Sequence, residues 1–205
     1  MRILLVILFS IVSMLSLDAK CAHYKIDSAK SKIGFNVRHF GIHNVDGNFA
    51  KFEGEFDFDP KNLSASSATA KIQADSFNTG IRARDDHMKR IFNAKDFPQI
   101  SFKSTGGARQ NSKGGFDING ELTIRDITKP ITLHIVQVKS SSNESDRLAF
   151  KAYAFVIRKD FKITWSDIVE QSNSVEQTVN VNLMIEGTST AGSDSNETSI
   201  DLEEL

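Results

Sequence analysis

Apolar and polar residues alternate along most of the chain. Residues 33–39 carry apolar side chains or histidine at the odd positions, and residues 52–58 carry Phe or Gly at the even positions with acids between them. A period of two predicts strands with one face against a core and the other in water. Phe49 has the opposite parity to the Phe residues of 52–58. A β-bulge near Ala50-Lys51 would bring Phe49 and Phe52 onto the same face.

The same alternation returns in further short segments that are separated by turn residues. These segments are residues 68–74, 99–104, 116–124, 131–135, 150–156 and 179–185. About eight to ten strands joined by short turns predict an all-β fold, either an antiparallel barrel or a sandwich.

One segment departs from the period of two. In residues 85–92, Met88, Ile91 and Phe92 are spaced by three and four, which predicts one short helix with an apolar stripe. Asp85 is a suitable N-cap for it. The stripe is expected to cover one end of the barrel, and a lid over a cavity mouth is the alternative.

Both ends of the chain differ from its middle. A basic start, Met1-Arg2, precedes a run of 15 apolar and serine residues, which is too short to span a bilayer. Residues 1–22 are therefore predicted to be a secretory signal peptide, with an uncleaved anchor as the alternative. Residues 187–205 hold five acids and no Lys or Arg, and this polar segment is predicted to be a disordered tail.

Residues 23–186 are therefore expected to form the folded domain. They hold 23 basic and 20 acidic residues, a net charge of +3, and no stretch is basic enough to indicate nucleic acid binding. The single cysteine, Cys21, excludes an intrachain disulfide. Neither zinc-ligand spacing nor a phosphate-binding glycine loop nor a nucleophile elbow occurs in the sequence.

The interior of the predicted barrel has two interpretations. The chain has 15 Phe residues, and the inward series combines Phe and Ile with several Ala. Small residues opposite large ones are typical of a packed core, but they also leave room for a ligand. An apolar tunnel would suit a long hydrocarbon, because each buried CH₂ contributes about 0.8 kcal/mol without polar contacts.

Several segments along the chain carry a resemblance to a known family. They are SKIGFNVRHFG (31–41), VDGNFAKFEG (45–54), DSFNTG (75–80) with RDDHM (84–88), FPQISFKS (97–104), GELTIRDITKP (120–130) and IRKDF (157–161). In this order they resemble consecutive blocks of the YceI-like family of polyisoprenoid-binding proteins. The family often has glycine after the last block, where this chain has Lys162, so that turn is expected to differ.

The resemblance implies an extended lipocalin-like antiparallel β-barrel, export to the periplasm or outside the cell, and a tunnel for a polyisoprenoid, isoprenoid quinone or similar amphiphile. No cofactor is expected other than such a bound lipid or quinone. Transient membrane contact and a homodimer are further expectations. The residues expected to line the tunnel are Phe35, Val37, His39, Phe49, Phe56, Ile72, Phe77, Met88, Phe92, Phe102, Ile118, Leu122, Leu133, Phe150 and Ala152.

Polar residues supply the remaining candidates. Arg82 and Arg84 precede the predicted helix and are candidates for binding a headgroup, with a solvated turn as the alternative. His39 and His43 are not expected to converge on a metal, because they lie in a strand and the turn after it. Arg158 and Asp160 are expected to form an ion pair in a turn.

Two other classes of function remain open alongside carriage of a lipid. The first is a small exported enzyme acting on an isoprenoid substrate, which would require His39, Asp85 and His87 to converge. The second is an interaction module whose helix and acidic tail bind a membrane redox partner.

Overall fold

The computed structural model describes residues 21–140, 146–172 and 174–190. The apolar run near the start and most of the acidic tail lie outside the described residues. The signal peptide and the disordered tail therefore stay predictions.

Strands dominate the described part of the chain. They are β1 (Ala22–Ile26), β2 (Lys32–His39), β3 (His43–Phe49), β4 (Phe52–Phe58), β5 (Ser67–Gln73), β6 (Phe77–Asn78), β7 (Gln99–Ser104), β8 (Arg109–Gln110), β9 (Phe116–Ile124), β10 (Ile127–Ser140), β11 (Arg147–Ile157) and β12 (Thr178–Ser189). The α-helices are α1 (Arg82–Ile91) and α2 (Asp167–Gln171), and short 3₁₀ turns cover Leu63–Ala65, Ala74–Ser76 and Arg158–Phe161.

Eight of these strands close into an antiparallel barrel in the order β1-β4-β5-β7-β9-β10-β11-β12, with β12 pairing back to β1. The all-β prediction and the choice of a barrel are confirmed. Residues 187–189 of β12 form the closing pairs with β1, so the barrel continues past residue 186, where the sequence placed its end. Hydrogen bonding to β1 holds these three residues in the wall.

A smaller sheet extends one end of the barrel. One edge of β12 has two partners: β1 at residues 187–189 and β2 at residues 180–184. β3 then pairs with β2, and β6 pairs with β3. We call this end, which carries the β2–β3 hairpin and both helices, the upper end. The lower end carries the β4–β5 connection, β8 and the start of β9.

The predicted bulge near Ala50 is instead a break between two strands. β3 ends at Phe49 and β4 begins at Phe52, while the N–H groups of Ala50 and Lys51 donate to the backbone and side-chain oxygens of Ser76. Phe49 and Phe52 nevertheless pack against the same core, which is the arrangement that the predicted bulge was invoked to explain.

The helices differ from the sequence prediction in two ways. α1 begins at Arg82, and Asp85 lies in its first turn, where it accepts hydrogen bonds from the N–H (2.9 Å) and hydroxyl (2.6 Å) of Thr79. Asp85 is therefore not the N-cap. The prediction of a single helix is also wrong, because α2 forms in a segment that is too short to show a helical period.

Candidate ligand-binding cavity

An apolar cavity of about 400 Å³ lies inside the upper and middle parts of the barrel. Its wall includes inward residues of β2, β4, β5, β7, β9, β10, β11 and β12, together with α1 and the segment after β11. This volume falls in the usual range for small-molecule sites. The barrel is therefore hollow over part of its length.

Most of the predicted lining residues lie on the cavity wall. They are Phe35, Val37, His39, Phe49, Phe56, Ile72, Phe77, Met88, Phe92, Phe102, Leu122, Leu133 and Phe150. Contact of these residues with a ligand stays a prediction.

Ile118 and Ala152 do not reach the cavity. They belong to a second core cluster with Phe102, Ala108 and Ile135. Their inward parity was read correctly, but parity does not show which inward side chains reach the open space, since Ala152 lies between the wall residues Phe150 and Ala154 in β11.

Aromatic rings form much of the upper wall. The Phe35 ring stacks on Phe77 with centroids 4.7 Å apart, and Phe49 meets Phe92 edge-on at 6.3 Å. Further down, Phe56 meets Phe150 edge-on at 5.2 Å. Such offset and edge-to-face pairs hold the rings in fixed positions.

The sequence prediction missed two groups of wall residues. Val179, Val181, Leu183 and Ile185 of β12 line the cavity, and their alternation was visible in the sequence. Ile163, Trp165 and Val175 also line it, but they come from an irregular segment that shows no period. Only the register of β12 against β2 and β11 reveals that its inward face meets the open space.

Most polar groups on the wall lie near α1 and the β2–β3 hairpin, while Glu55 and Thr69 contribute from β4 and β5. The Nε of Arg84 donates to the Thr79 hydroxyl (2.8 Å) and its Nη2 donates to the Thr79 carbonyl (3.2 Å), while His39 and His87 lie on the same wall. Arg84 thus keeps a cation at the cavity. Arg82 does not belong to this group, because its side chain is 96% exposed and lies outside the wall.

Arg158 holds together the upper segment after β11. Its guanidinium is 3% exposed and donates to both carboxylate oxygens of Glu170, at 2.7 and 3.1 Å. It also donates to the backbone carbonyls of Ile163, Val175 and Glu176. The predicted ion pair with Asp160 is therefore wrong, since the carboxylate partner comes from α2.

The surroundings of Glu170 strongly favour its charged form. Hydrogen bonds from Arg158, and further ones from the Trp165 N–H and the Lys159 ammonium, outweigh partial burial and lower the pKa of Glu170 to about 2. The Arg158 guanidinium also lies 4.7 Å from the centre of the Trp165 ring, and this ring lines the cavity. The ion pair therefore fixes part of the cavity wall.

The three residues of the enzyme hypothesis do not form a hydrogen-bonded unit. Asp85 is turned toward Thr79, and no hydrogen bond joins it to His39 or His87 in the part of the chain that the structure describes. His43 is the first residue of β3 and pairs directly with His39 across the hairpin, so it does not lie in the turn where it was expected. Within the same described ranges, no group of three or more potential metal ligands occurs.

Exposed apolar side chains project from the upper end. Phe40 (64% exposed) and Ile42 (78%) form the tip of the β2–β3 hairpin, and Ile168 (81%) lies on α2. The N–H of Phe40 donates to the carbonyl of Ser174, which joins the hairpin to the segment after α2. In the ranges that the structure describes, we find no helix with the length and hydropathy needed to cross a bilayer.

Comparison with known proteins identifies one family. The model of the YceI-like domain matches residues 24–187. The Salmonella arizonae protein YceI is 33% identical over 170 residues, which cover 80% of this chain and 87% of the relative. The family model thus covers the barrel except for the first two residues of β1 and the last two of β12.

Solved structures match the same fold. BcnA from Burkholderia cenocepacia superimposes with a TM-score of 0.71 at 23% identity, covering 80% of this chain and 99% of BcnA. A polyisoprenoid binding domain from Saccharophagus degradans, implicated in plant cell wall breakdown, gives 0.59 at 15% identity, covering 83% of this chain and 99% of the domain. At these identities the two likenesses concern the fold.

Proposed function

The chain belongs to the YceI-like family, and from this premise we propose that it is an exported carrier that holds a polyisoprenoid, isoprenoid quinone or similar long-chain amphiphile in its cavity. The observation that carries the proposal is the distribution of polarity in the cavity. Apart from Glu55 and Thr69, the wall is apolar along the barrel, and its cationic and imidazole side chains lie at the upper end, on β2, α1 and the segment after β11.

This distribution matches the two parts of an amphiphile. The hydrocarbon tail lies against Phe56, Leu133 and Phe150, where each buried CH₂ contributes about 0.8 kcal/mol. The headgroup lies near Arg84, His39 and His87, which can donate hydrogen bonds to a phosphate, carbonyl or amide oxygen. A binding role needs no convergent catalytic residues, so the cavity favours a binding protein over an enzyme.

Export and membrane contact are part of the same proposal. The apolar run near the start of the chain supports export to the periplasm or outside the cell. The exposed side chains of Phe40, Ile42 and Ile168 support a transient contact of the upper end with a membrane, where a lipid would enter or leave. A homodimer stays a prediction.

Organic-solvent extraction tests the proposal. The protein is purified from an exporting host without detergent, extracted, and the extract is analysed by mass spectrometry. We expect a prenyl lipid or quinone in stoichiometric amount. A protein that yields no lipid and also fails to bind added prenyl lipids would contradict the proposal.

A matched pair of variants makes this test specific to the cavity. Ala70 and Lys71 are adjacent in β5, but Ala70 lines the cavity and Lys71 is exposed. Ala70→Phe is expected to abolish lipid recovery by occupying the cavity, while Lys71→Phe is expected to retain it. Equal recovery from both variants would place the lipid outside the barrel.

A further inference from the structure

Glycine occupies an inward-facing position in four of the cavity-bearing strands, and at three of these positions, Gly47, Gly120 and Gly187, the adjacent side chain is a phenylalanine. Gly47 lies between the wall residues Val45 and Phe49 of β3. Gly120 has the same parity as Leu122 in β9, and Gly187 continues the inward series of β12. Strand interiors disfavour glycine, so each of these positions calls for a structural reason.

At each of these glycines a phenylalanine ring occupies the space of the missing side chain. A Cβ atom on Gly47 would lie under 3.0 Å from two ring carbons of Phe35, and one on Gly120 would meet Phe102 in the same way. On Gly187 it would lie 2.6 and 2.7 Å from Cε1 and Cζ of Phe56. The rings thus lie directly against the backbone of a neighbouring strand.

The same three rings line the cavity. Phe35, Phe56 and Phe102 are all wall residues, and each is at least nine-tenths buried. A ring that lies against the backbone takes up less of the barrel's interior than one that points toward its axis. Further stacking, of Phe35 on Phe77 and of Phe56 on Tyr24 (5.0 Å), keeps two of the rings in this position.

We propose that Gly47, Gly120 and Gly187 determine ligand specificity by setting the width of the cavity. A side chain at Gly187 displaces the covering Phe56 ring toward the barrel axis and narrows the path of the ligand. At Gly47 and Gly120 an added Cβ would also meet a backbone oxygen, of Asn78 (2.9 Å) and Lys103 (2.6 Å), so the ring and the neighbouring backbone must both shift. For the nature of the ligand, this inference rests on the proposed function. The positions of the phenylalanine rings do not depend on which ligand is bound.

Other strand glycines do not share this arrangement. A Cβ on Gly34, which faces outward, would approach no atom closer than 3.5 Å. Gly54 also faces inward, but a Cβ there would meet the backbone oxygen of Thr69 at 2.5 Å and Cδ1 of Ile26 at 2.9 Å, with no aromatic ring among its nearest atoms. Gly34 therefore provides a matched control in the same sheet.

Gly187→Ala is the best test, because its nearest obstacles are the Phe56 ring and the Cβ of Tyr24, at 3.0 Å. Binding is measured by displacement of cis-parinaric acid with geraniol, farnesol and geranylgeraniol. We expect affinity for geranylgeraniol to fall about tenfold, as loss of roughly two buried methylenes implies, with geraniol little affected. Gly34→Ala should match the wild type, and Gly187→Ala combined with Phe56→Leu should regain geranylgeraniol binding.

A crystal structure of Gly187→Ala separates this inference from the proposed function. If wild-type protein binds none of the alcohols, carriage of prenyl chains fails, yet the inference still predicts a Phe56 ring displaced into the cavity. A ring in its original place, or equal loss of affinity for all three alcohols, would overturn the inference. Should Gly187→Ala not fold, Phe56→Leu alone must raise the affinity for geranylgeraniol relative to geraniol, and a fall would overturn it.

Discussion

The two ends of the barrel are built from the same kind of strand, but one is hollow and the other is filled. Inward residues alternate with outward ones along β9, β10 and β11 at both ends. Toward the lower end Ala108, Ile118 and Ile135 pack together. Further up the same strands, Leu122, Ile131 and Ala154 face open space.

The difference comes from what lies between the walls. The lower end is closed by residues from outside the barrel strands, such as Leu63 of a 3₁₀ turn and Ala108, and by Phe58 stacked on Phe116 at 5.7 Å. The upper end is covered by α1 and the segment held by Arg158. Alternation therefore determines which residues face inward, while loops and ring positions determine whether the interior is open.

We expect the greatest loss of stability from removing Arg158, which holds together the segment that covers the upper end. Arg158→Ala leaves Glu170 and three backbone carbonyls without their buried partner, so we expect the free energy of unfolding to fall by about 3–5 kcal/mol. Urea unfolding measures this loss. Arg82→Ala, which removes an exposed cation, should cost under ~0.5 kcal/mol, and similar losses for both variants would contradict the role given to Arg158.

Two cross-strand partners, one in the packed cluster and one on the cavity wall, allow the stability cost of truncation to be compared directly. Ile118 is buried in the filled cluster, and its partner Leu133 lines the cavity. We expect Ile118→Ala to lower the free energy of unfolding by about 3 kcal/mol and Leu133→Ala by roughly half as much, because Leu133 has fewer neighbours to lose. Equal costs in urea unfolding would mean that the cavity is closed in solution.

Acid is expected to weaken the hollow end through Glu170. Its pKa is about 2 in the folded protein against 4.5 ordinarily, so its ionised form stabilises the fold above pH 4.5 and this contribution is lost as pH falls toward 2. The loss amounts to about 3 kcal/mol. Urea unfolding from pH 5 to 2 should show it, while Glu170→Gln should be less stable at pH 5 and vary less over this range.

Enlarging an alanine should have opposite consequences at the two ends. Ala152→Leu overfills the lower cluster and is expected to lower the free energy of unfolding by about 1–3 kcal/mol. Ala70→Leu enters the cavity, so we expect little loss of stability but weaker binding of geranylgeraniol. Unfolding and binding titrations together check this pair, and a stability loss confined to Ala70→Leu would reverse the assignment of the two ends.

The smallest expected effect concerns the turn at Lys162. This residue has φ +55°, the left-handed conformation that favours glycine. Lys162→Gly is expected to raise the free energy of unfolding by about 0.5–1 kcal/mol. Lys162→Ala removes the side chain without relieving the backbone and should bring no gain.

The walls of the barrel could be predicted from the sequence, because alternation depends only on local parity. This is how Phe35, Phe56 and Leu133 were placed facing inward. The lower boundary of the cavity could not be predicted, since Ile118 and Ala152 have the same parity as residues that line it. Its depth depends on packing from Leu63 and Ala108, which are distant in sequence.

The irregular part of the site was also beyond prediction. Glu170 lies 12 residues from Arg158, and the pairing follows from the path of the intervening segment rather than from a period. Likewise, the wall position of Trp165 depends on its contact with the Arg158 guanidinium. Arg82 and Arg84 looked equivalent in the sequence, and the rotation of α1 places one at the cavity and the other in water.

An electron-density map of the protein crystallised with geranylgeraniol decides whether the barrel holds a prenyl chain. We expect continuous elongated density from the region of Arg84 and His39 down to Phe150, with the Phe56 ring against the backbone at Gly187. Two results would contradict carriage inside the barrel: an interior without ligand that is filled by inward-pointing Phe rings, or ligand bound only on the outer surface.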